Sequence, residues 1–141
     1  MPTRTASAVW EGVLKTGKGN FKGESGAISG GFSFGTRFES TPGTNPEELI
    51  AAAHAACFSM ALAAGLEKAG KPSAKVDTKA AVTIEKGDSG FGITGIKLTT
   101  RATVPGISKE EFAKIAEATK TGCPVSKALA AVKIDLDAQL S

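Results

Sequence analysis

Tyrosine is absent from the sequence, tryptophan and histidine occur once each, and cysteine occurs twice. Each scarcity excludes a class of explanation. Two cysteines in 141 residues are too few to staple a secreted disulfide scaffold, so ordinary packing has to supply the core. One histidine and two cysteines 66 residues apart give no metal-ligand spacing, so no metal or resident cofactor is expected. Charge of one sign never accumulates. Seventeen basic and 14 acidic residues leave a net charge of +3, and the basic residues neither cluster nor interleave with aromatics. Nucleic acid is therefore not an expected partner. The opening MPTRTASAVW has no apolar run of the signal-peptide kind, which places the chain in the cytoplasm as an expectation.

Long hydrophobic runs are also scarce, with one exception. Leu49 to Leu66 carries no charged side chain over 18 residues, near the lower length for a membrane span. It is built mainly of alanine, with His54, Ser59 and Gly65 inside it, and has no flanking aromatic belt. A buried helix is expected rather than membrane insertion. Being apolar nearly all round, it needs cover on nearly all sides.

The first 40 residues hold eight glycines, a density that suggests short strands joined by hairpins. Phe32, Phe34, Thr36 and Phe38 alternate with Ser33, Gly35, Arg37 and Glu39, which reads as a strand with an aromatic face and Arg37 on the other. Asn45 then suits a helix N-cap and Pro46 the first helical position, with Glu48 placed to complete a capping box. Gly70 and Pro72 close that helix. Val76, Thr78, Ala80, Val82 and Ile84 alternate with polar residues as in a half-buried strand. Gly87-Asp88-Ser89-Gly90 reads as a hairpin turn. The apolar phase of the following strand slips at Gly95, where a bulge is expected. Ser108 and Glu111 mark the start of another helix, which ends near Gly122, and Cys123-Pro124 opens a short one. A strand through Val132, Ile134 and Leu136 closes the chain. The expectation is one α+β domain over residues 1–141 with antiparallel β-sheets around a long buried central helix. Its parts are an N-terminal β-meander (1–40), the helix (45–70) and a β-β-α-α-β segment (75–141).

GVLKTGKG, residues 12 to 19, imitates a phosphate-binding loop, but Gly19 stands where a Mg²⁺-binding hydroxyl is required and no helix pattern follows. The cysteines leave two readings open. Cys57, mid-helix among Ala, Phe and Met, fits an inert buried thiol. Cys123, at a helix start, would see unpaired N–H groups that favour its thiolate. His54 lies three residues before Cys57, a poor arrangement for proton transfer with no acid to orient the ring, so a packed or interface histidine is expected.

GTRFESTPGTNPEELIAAAHAACFSMAL, residues 35 to 62, resembles the signature region of the osmotically induced protein C family, which includes the organic hydroperoxide resistance proteins. Gly-Cys-Pro-Val-Ser, residues 122 to 126, resembles the family's second cysteine motif, and the order of elements is similar across the chain. The arginine in GTRFE, 20 residues before the first cysteine, is similar to the osmotically induced branch. The resemblance implies a thiol-dependent peroxidase that reduces organic hydroperoxides to alcohols in oxidative or osmotic stress defence. It makes Cys57 the peroxidatic cysteine, Cys123 the resolving one, Arg37 the guanidinium beside the thiolate and Glu47 the acid that holds it. Glu48 is set apart from Glu47 by its capping role. The resemblance further implies a Cys57 sulfenic acid, a Cys57–Cys123 disulfide, an external dithiol reductant (dihydrolipoyl in the hydroperoxide resistance branch) and an intertwined homodimer.

Spacing adds a constraint. Ten residues separate Glu47 from Cys57, about 15 Å along a continuous helix, so the two cannot share one site within a single chain. Antiparallel pairing of two central helices would bring Glu47 of one chain towards Cys57 of the other, giving two equivalent sites at a two-fold interface. Two other readings remain: a non-catalytic member of the fold that binds a small ligand or partner, and a hydrolase using Cys57 with His54.

Overall fold

Three short strands open the chain: β1 (Ala6–Glu11), β2 (Lys18–Gly23) and β3 (Ser29–Phe32), paired antiparallel in the order β1-β2-β3. The computed structural model describes residues 1–141, which form two compact units, Met1–Leu49 and Ile50–Ser141. In the first unit, aromatic side chains fill the gaps that glycines leave. Phe32 packs between Trp10 and Phe21 with ring centroids 5.7 and 6.3 Å away, and the Trp10 indole N–H donates to the Gly12 carbonyl at 2.8 Å. The residues of the rejected phosphate loop lie in the β1–β2 hairpin.

The strand expected over 32–39 ends at Phe32, and Phe34–Phe38 form a one-turn helix, α1. The reason is local. Ser33 is an N-cap whose Oγ accepts from the Thr36 N–H while the Thr36 hydroxyl accepts from the Ser33 N–H, a reciprocal capping box. Phe34 and Phe38, four residues apart, then meet on one side with centroids 5.1 Å apart. An i, i+2 alternation of phenylalanines thus concealed an i, i+4 pair.

The long helix α2 spans Pro46–Lys68. Asn45 Oδ1 accepts from the Glu48 N–H at 2.9 Å, as expected of the cap. The Glu48 carboxylate accepts from the Thr44 hydroxyl, one residue earlier in the chain than the backbone N–H expected as its partner. At the far end Gly70 has φ +73°. The Lys71 N–H reaches the Leu66 carbonyl and the Gly70 N–H that of Glu67, the two bonds of a Schellman stop.

In the second unit, β4 (Lys75–Gly87) and β5 (Gly90–Thr103) form a hairpin around Asp88-Ser89, with Gly90 at φ +112°. Register slips where Thr83 faces Gly95 and Ile84 faces Ile93, so Thr94 is the extra residue, beside the expected Gly95. Helices α3 (Lys109–Gly122) and α4 (Pro124–Ala128) follow, with Ser108 capping α3. Strand β6 (Lys133–Leu140) completes the sheet in the order β4-β5-β6.

The expectation of antiparallel sheets fails at this strand: β6 runs parallel to β5. The crossover through α3 and α4 returns the chain to the same end of the sheet before β6 begins, and parallel pairing needs such a connection. The fold class is nonetheless α+β. Phe58, Leu62 and Leu66 of α2 pack with Ile96, Leu98 and Ala102 of β5 and with Phe112 and Ala116 of α3. Gly65 permits close approach to α3, since a Cβ there would lie 3.1 Å from Ile115 Cγ2. The opposite face of α2 lacks the cover expected from its composition. Ala52, Ala53, Ala56, Met60 and Ala64 are exposed in the single chain, Met60 at 76%. By length and composition α2 is also apolar enough to cross a membrane.

Candidate active site

The first unit presents a cation held by an acid. Arg37, on α1, donates from Nε to both Glu47 carboxylate oxygens at 3.2 Å and from Nη2 to Oε1 at 2.7 Å. A planar fork on a carboxylate fixes direction as well as charge. Glu47 is buried while Arg37 stays 36% exposed, and Nη1 takes no part in the pair. Phe38 lies under the guanidinium, 5.2 Å from Cζ to the ring centroid. The cap places these groups: Asn45 Nδ2 donates to the Thr36 carbonyl at 3.0 Å, tying α1 to the start of α2. Beside Arg37 a cavity of 190 Å³ is lined by Trp10, Leu14, Phe32, Phe34 and Phe38.

The second unit brings the two cysteines together. Their sulfurs are 3.0 Å apart as free thiols, Cys57 partly exposed and Cys123 fully buried. The Cys123 thiol donates to the Cys57 sulfur. Burial opposes ionisation of Cys123, but several hydrogen bonds outweigh it: with Cys57, with the Ser126 N–H and hydroxyl, and with the Val125 N–H. Together they hold the Cys123 thiol below its usual value. For Cys57, burial and the bond to Cys123 push the thiol up, and the Val125 N–H offsets this in part. Within this unit, then, the surroundings favour ionisation of Cys123 and disfavour that of Cys57.

His54 is buried, and its Nε2 lies 2.7 Å from Ser126 Oγ. Burial lowers its pKa, because a buried ring disfavours the charged form. No hydrogen bond joins it to Cys57, which removes support from the Cys57–His54 hydrolase reading. The packed histidine expected from the sequence is present, but its partner Ser126 was not foreseen. The available sign was position: Ser126 follows Cys123 by three residues, the same interval by which His54 precedes Cys57. No cluster of three or more potential metal ligands occurs.

The structure thus joins Arg37 to Glu47 and Cys57 to Cys123, each pair within its own unit. Comparison with known proteins bears on what these pairs are. The chain is 50% identical over 138 residues to "Peroxiredoxin OsmC" of Escherichia coli (strain K12), covering 97% of this chain and 96% of that protein. It is 38% identical over 88 residues to "Organic hydroperoxide resistance protein" of Xanthomonas axonopodis pv. citri (strain 306), covering 61% and 59%. Among solved structures, the organic hydroperoxide resistance protein OhrB of Bacillus subtilis superposes with a TM-score of 0.73 at 25% identity, over 97% of this chain and 98% of that one. Residues 38–137 match the family described as OsmC-like protein, and the chain belongs to that family.

Proposed function

We propose that this chain is a peroxiredoxin-like thiol peroxidase that reduces organic hydroperoxides through Cys57 and Cys123. The observation that carries the reading is the 3.0 Å approach of two free sulfurs, one partly exposed and one buried. Only the exposed sulfur can meet a substrate, so Cys57 is the nucleophile and Cys123 the resolving thiol.

Cys57 needs a cation. The hydrogen bonds within its own unit favour charge on Cys123, and a guanidinium near Cys57 would draw that charge towards the outer sulfur. Arg37, oriented by Glu47 and with Nη1 outside that pair, has the chemistry required. The Cys57 thiolate attacks one peroxide oxygen, the O–O bond breaks, and an alkoxide leaves that the guanidinium stabilises until it is protonated to the alcohol. Cys57 is then a sulfenic acid. Cys123 attacks its sulfur to give a disulfide and water, and an external dithiol, such as a dihydrolipoyl group, restores both thiols by exchange. The aromatic cavity beside Arg37 suits the alkyl part of the peroxide. Two free thiols at this spacing suit a reducing compartment such as the cytoplasm.

The active form is proposed to be a homodimer. Exposed Ala52, Ala53, Ala56, Met60 and Ala64 form an apolar stripe on α2 that a second copy would cover. Ten residues separate Glu47 from Cys57 along α2, about 15 Å. Antiparallel α2 helices would present Arg37 and Glu47 of one chain to the cysteines of the other. The experiment is consumption of an alkyl hydroperoxide with a dithiol reductant. Wild type turns over, and Cys57→Ser does not. Full activity in Cys57→Ser overturns the assignment.

A further inference from the structure

The reduced cysteine pair connects to a buried polar chain that the peroxidase cycle leaves without a role. His54 and Ser126 are 0% and 2% exposed, and Nε2 of the ring is 2.7 Å from Ser126 Oγ. Ser126 stands three residues after Cys123, in the helix that Cys123 opens, where its hydroxyl and N–H act to hold the Cys123 thiol below its usual value. A hydroxyl has one proton. If Ser126 gives it to sulfur, its oxygen must accept from His54, and Nε2 must carry the ring hydrogen.

The other ring nitrogen indicates that this is so. Nδ1 is buried and has no hydrogen-bond partner. With its proton on Nδ1 the ring would bury an orphaned N–H, which folded proteins rarely tolerate, whereas an unfilled acceptor is met more often. The Nε2–H tautomer is therefore the favoured one, and the chain of donors runs from His54 through Ser126 to Cys123. Cys57 is the titratable group in contact with the Cys123 sulfur, and Lys120 and Lys127 line a cavity of 350 Å³ together with Ser126.

We propose that His54 is a positioning residue: by donating to Ser126 it obliges the hydroxyl to donate to Cys123, which keeps the resolving sulfur ready to act as a thiolate. The inference rests on the thiol peroxidase reading and deepens it at two steps. In resolution the Cys123 thiolate attacks the sulfenic sulfur of Cys57. The S–S bond forms, the S–O bond breaks, and hydroxide departs and is protonated to water. In reduction an external dithiol's thiolate attacks the exposed Cys57 sulfur, the S–S bond breaks, and its electron pair goes to Cys123. A better stabilised leaving thiolate departs faster.

The test compares Ser126→Ala, His54→Leu and His54→Gln with wild type, each checked for folding by circular dichroism. Two readouts are taken: thiolate absorbance of the reduced protein against pH, and the thiol–disulfide equilibrium in dithiothreitol redox buffers. Ser126→Ala should raise the first ionisation of the cysteine pair and favour the disulfide by roughly tenfold, equivalent to a potential ~30 mV more negative. His54→Leu should move both readouts the same way by roughly threefold or more, because the hydroxyl is no longer directed. His54→Gln keeps an N–H donor at the same reach and should restore wild-type values. Folded Ser126→Ala and His54→Leu proteins with wild-type ionisation and equilibrium would overturn the inference, as would His54→Gln matching His54→Leu. Neither readout uses peroxide, so failure here is distinct from failure of the peroxidase reading, which peroxide consumption decides.

Discussion

Cys57, within α2, and Cys123, at the junction of α3 and α4, are 66 residues apart in sequence, yet their sulfurs rest 3.0 Å from each other as free thiols. A disulfide requires about 2.05 Å, so bond formation needs an approach of about 1 Å and no unfolding. Resolution should therefore outpace further oxidation of Cys57. Removing the partner should reverse that order. Cys123→Ser is expected to complete about one turnover and then accumulate Cys57 as sulfinic acid, read as added oxygen by mass spectrometry. Sustained turnover by Cys123→Ser, without over-oxidation, would show that another thiol resolves the sulfenic acid.

Arg37 engages Glu47 through Nε and Nη2 together, a contact that only a planar fork can make. Lysine would keep the charge and lose the fixed direction. Arg37→Lys should therefore lower kcat/KM for an alkyl hydroperoxide by roughly a hundredfold, the scale of removing one donor to a developing oxyanion. A rate within a few-fold of wild type would mean that charge alone suffices, or that Arg37 is remote from the reaction.

The exposed stripe on α2 separates monomer from dimer. In a monomer, Met60→Glu would be an ordinary surface change, worth within about 0.5 kcal/mol. In a dimer it would bury an unpaired carboxylate, at a cost of several kcal/mol. Light scattering should show a dimer for wild type and a monomer without peroxidase activity for Met60→Glu. A wild-type monomer that is fully active would remove the shared site.

Much of the fold could be read from the sequence because its causes are local. Asn45 caps α2, Gly70 ends it and the Asp88-Ser89 turn sets the β4–β5 hairpin, each through backbone geometry that one or two residue types satisfy. The slip near Gly95 was visible because a bulge must shift the apolar phase. Where two local patterns competed, reading by period failed. Phe32, Phe34, Thr36 and Phe38 fit a strand, but the Ser33–Thr36 capping box and the Phe34–Phe38 contact favour a helical turn. Parallel pairing of β6 was hidden because strand direction depends on where α3 and α4 leave the chain, not on the strand's own residues. The cysteines were legible as candidates from their motifs. Ser126 was not, since the contact that singles it out comes from His54, 72 residues away in sequence.

His54 makes stability depend on pH in a defined direction. Its folded pKa lies below the ordinary value because burial disfavours the charged ring. As pH falls below about 6.5, the unfolded chain takes up a proton that the folded chain refuses, so stability declines until the folded pKa is reached. The contribution is fully present above pH 6.5 and has a slope of up to about 1.4 kcal/mol per pH unit within the window. Urea unfolding from pH 7.5 to 5 should show this excess slope in wild type and not in His54→Gln. Equal slopes would mean that the ring titrates normally in the folded chain.

The most direct measurement is intact-mass and peptide mass spectrometry of the reduced wild-type protein after one equivalent of an alkyl hydroperoxide. The mass should fall by two hydrogens, and digestion should yield one peptide pair joining Cys57 to Cys123 within a single chain. Both thiols surviving unchanged, or either cysteine bridged to the same residue of a second chain instead, would contradict the account.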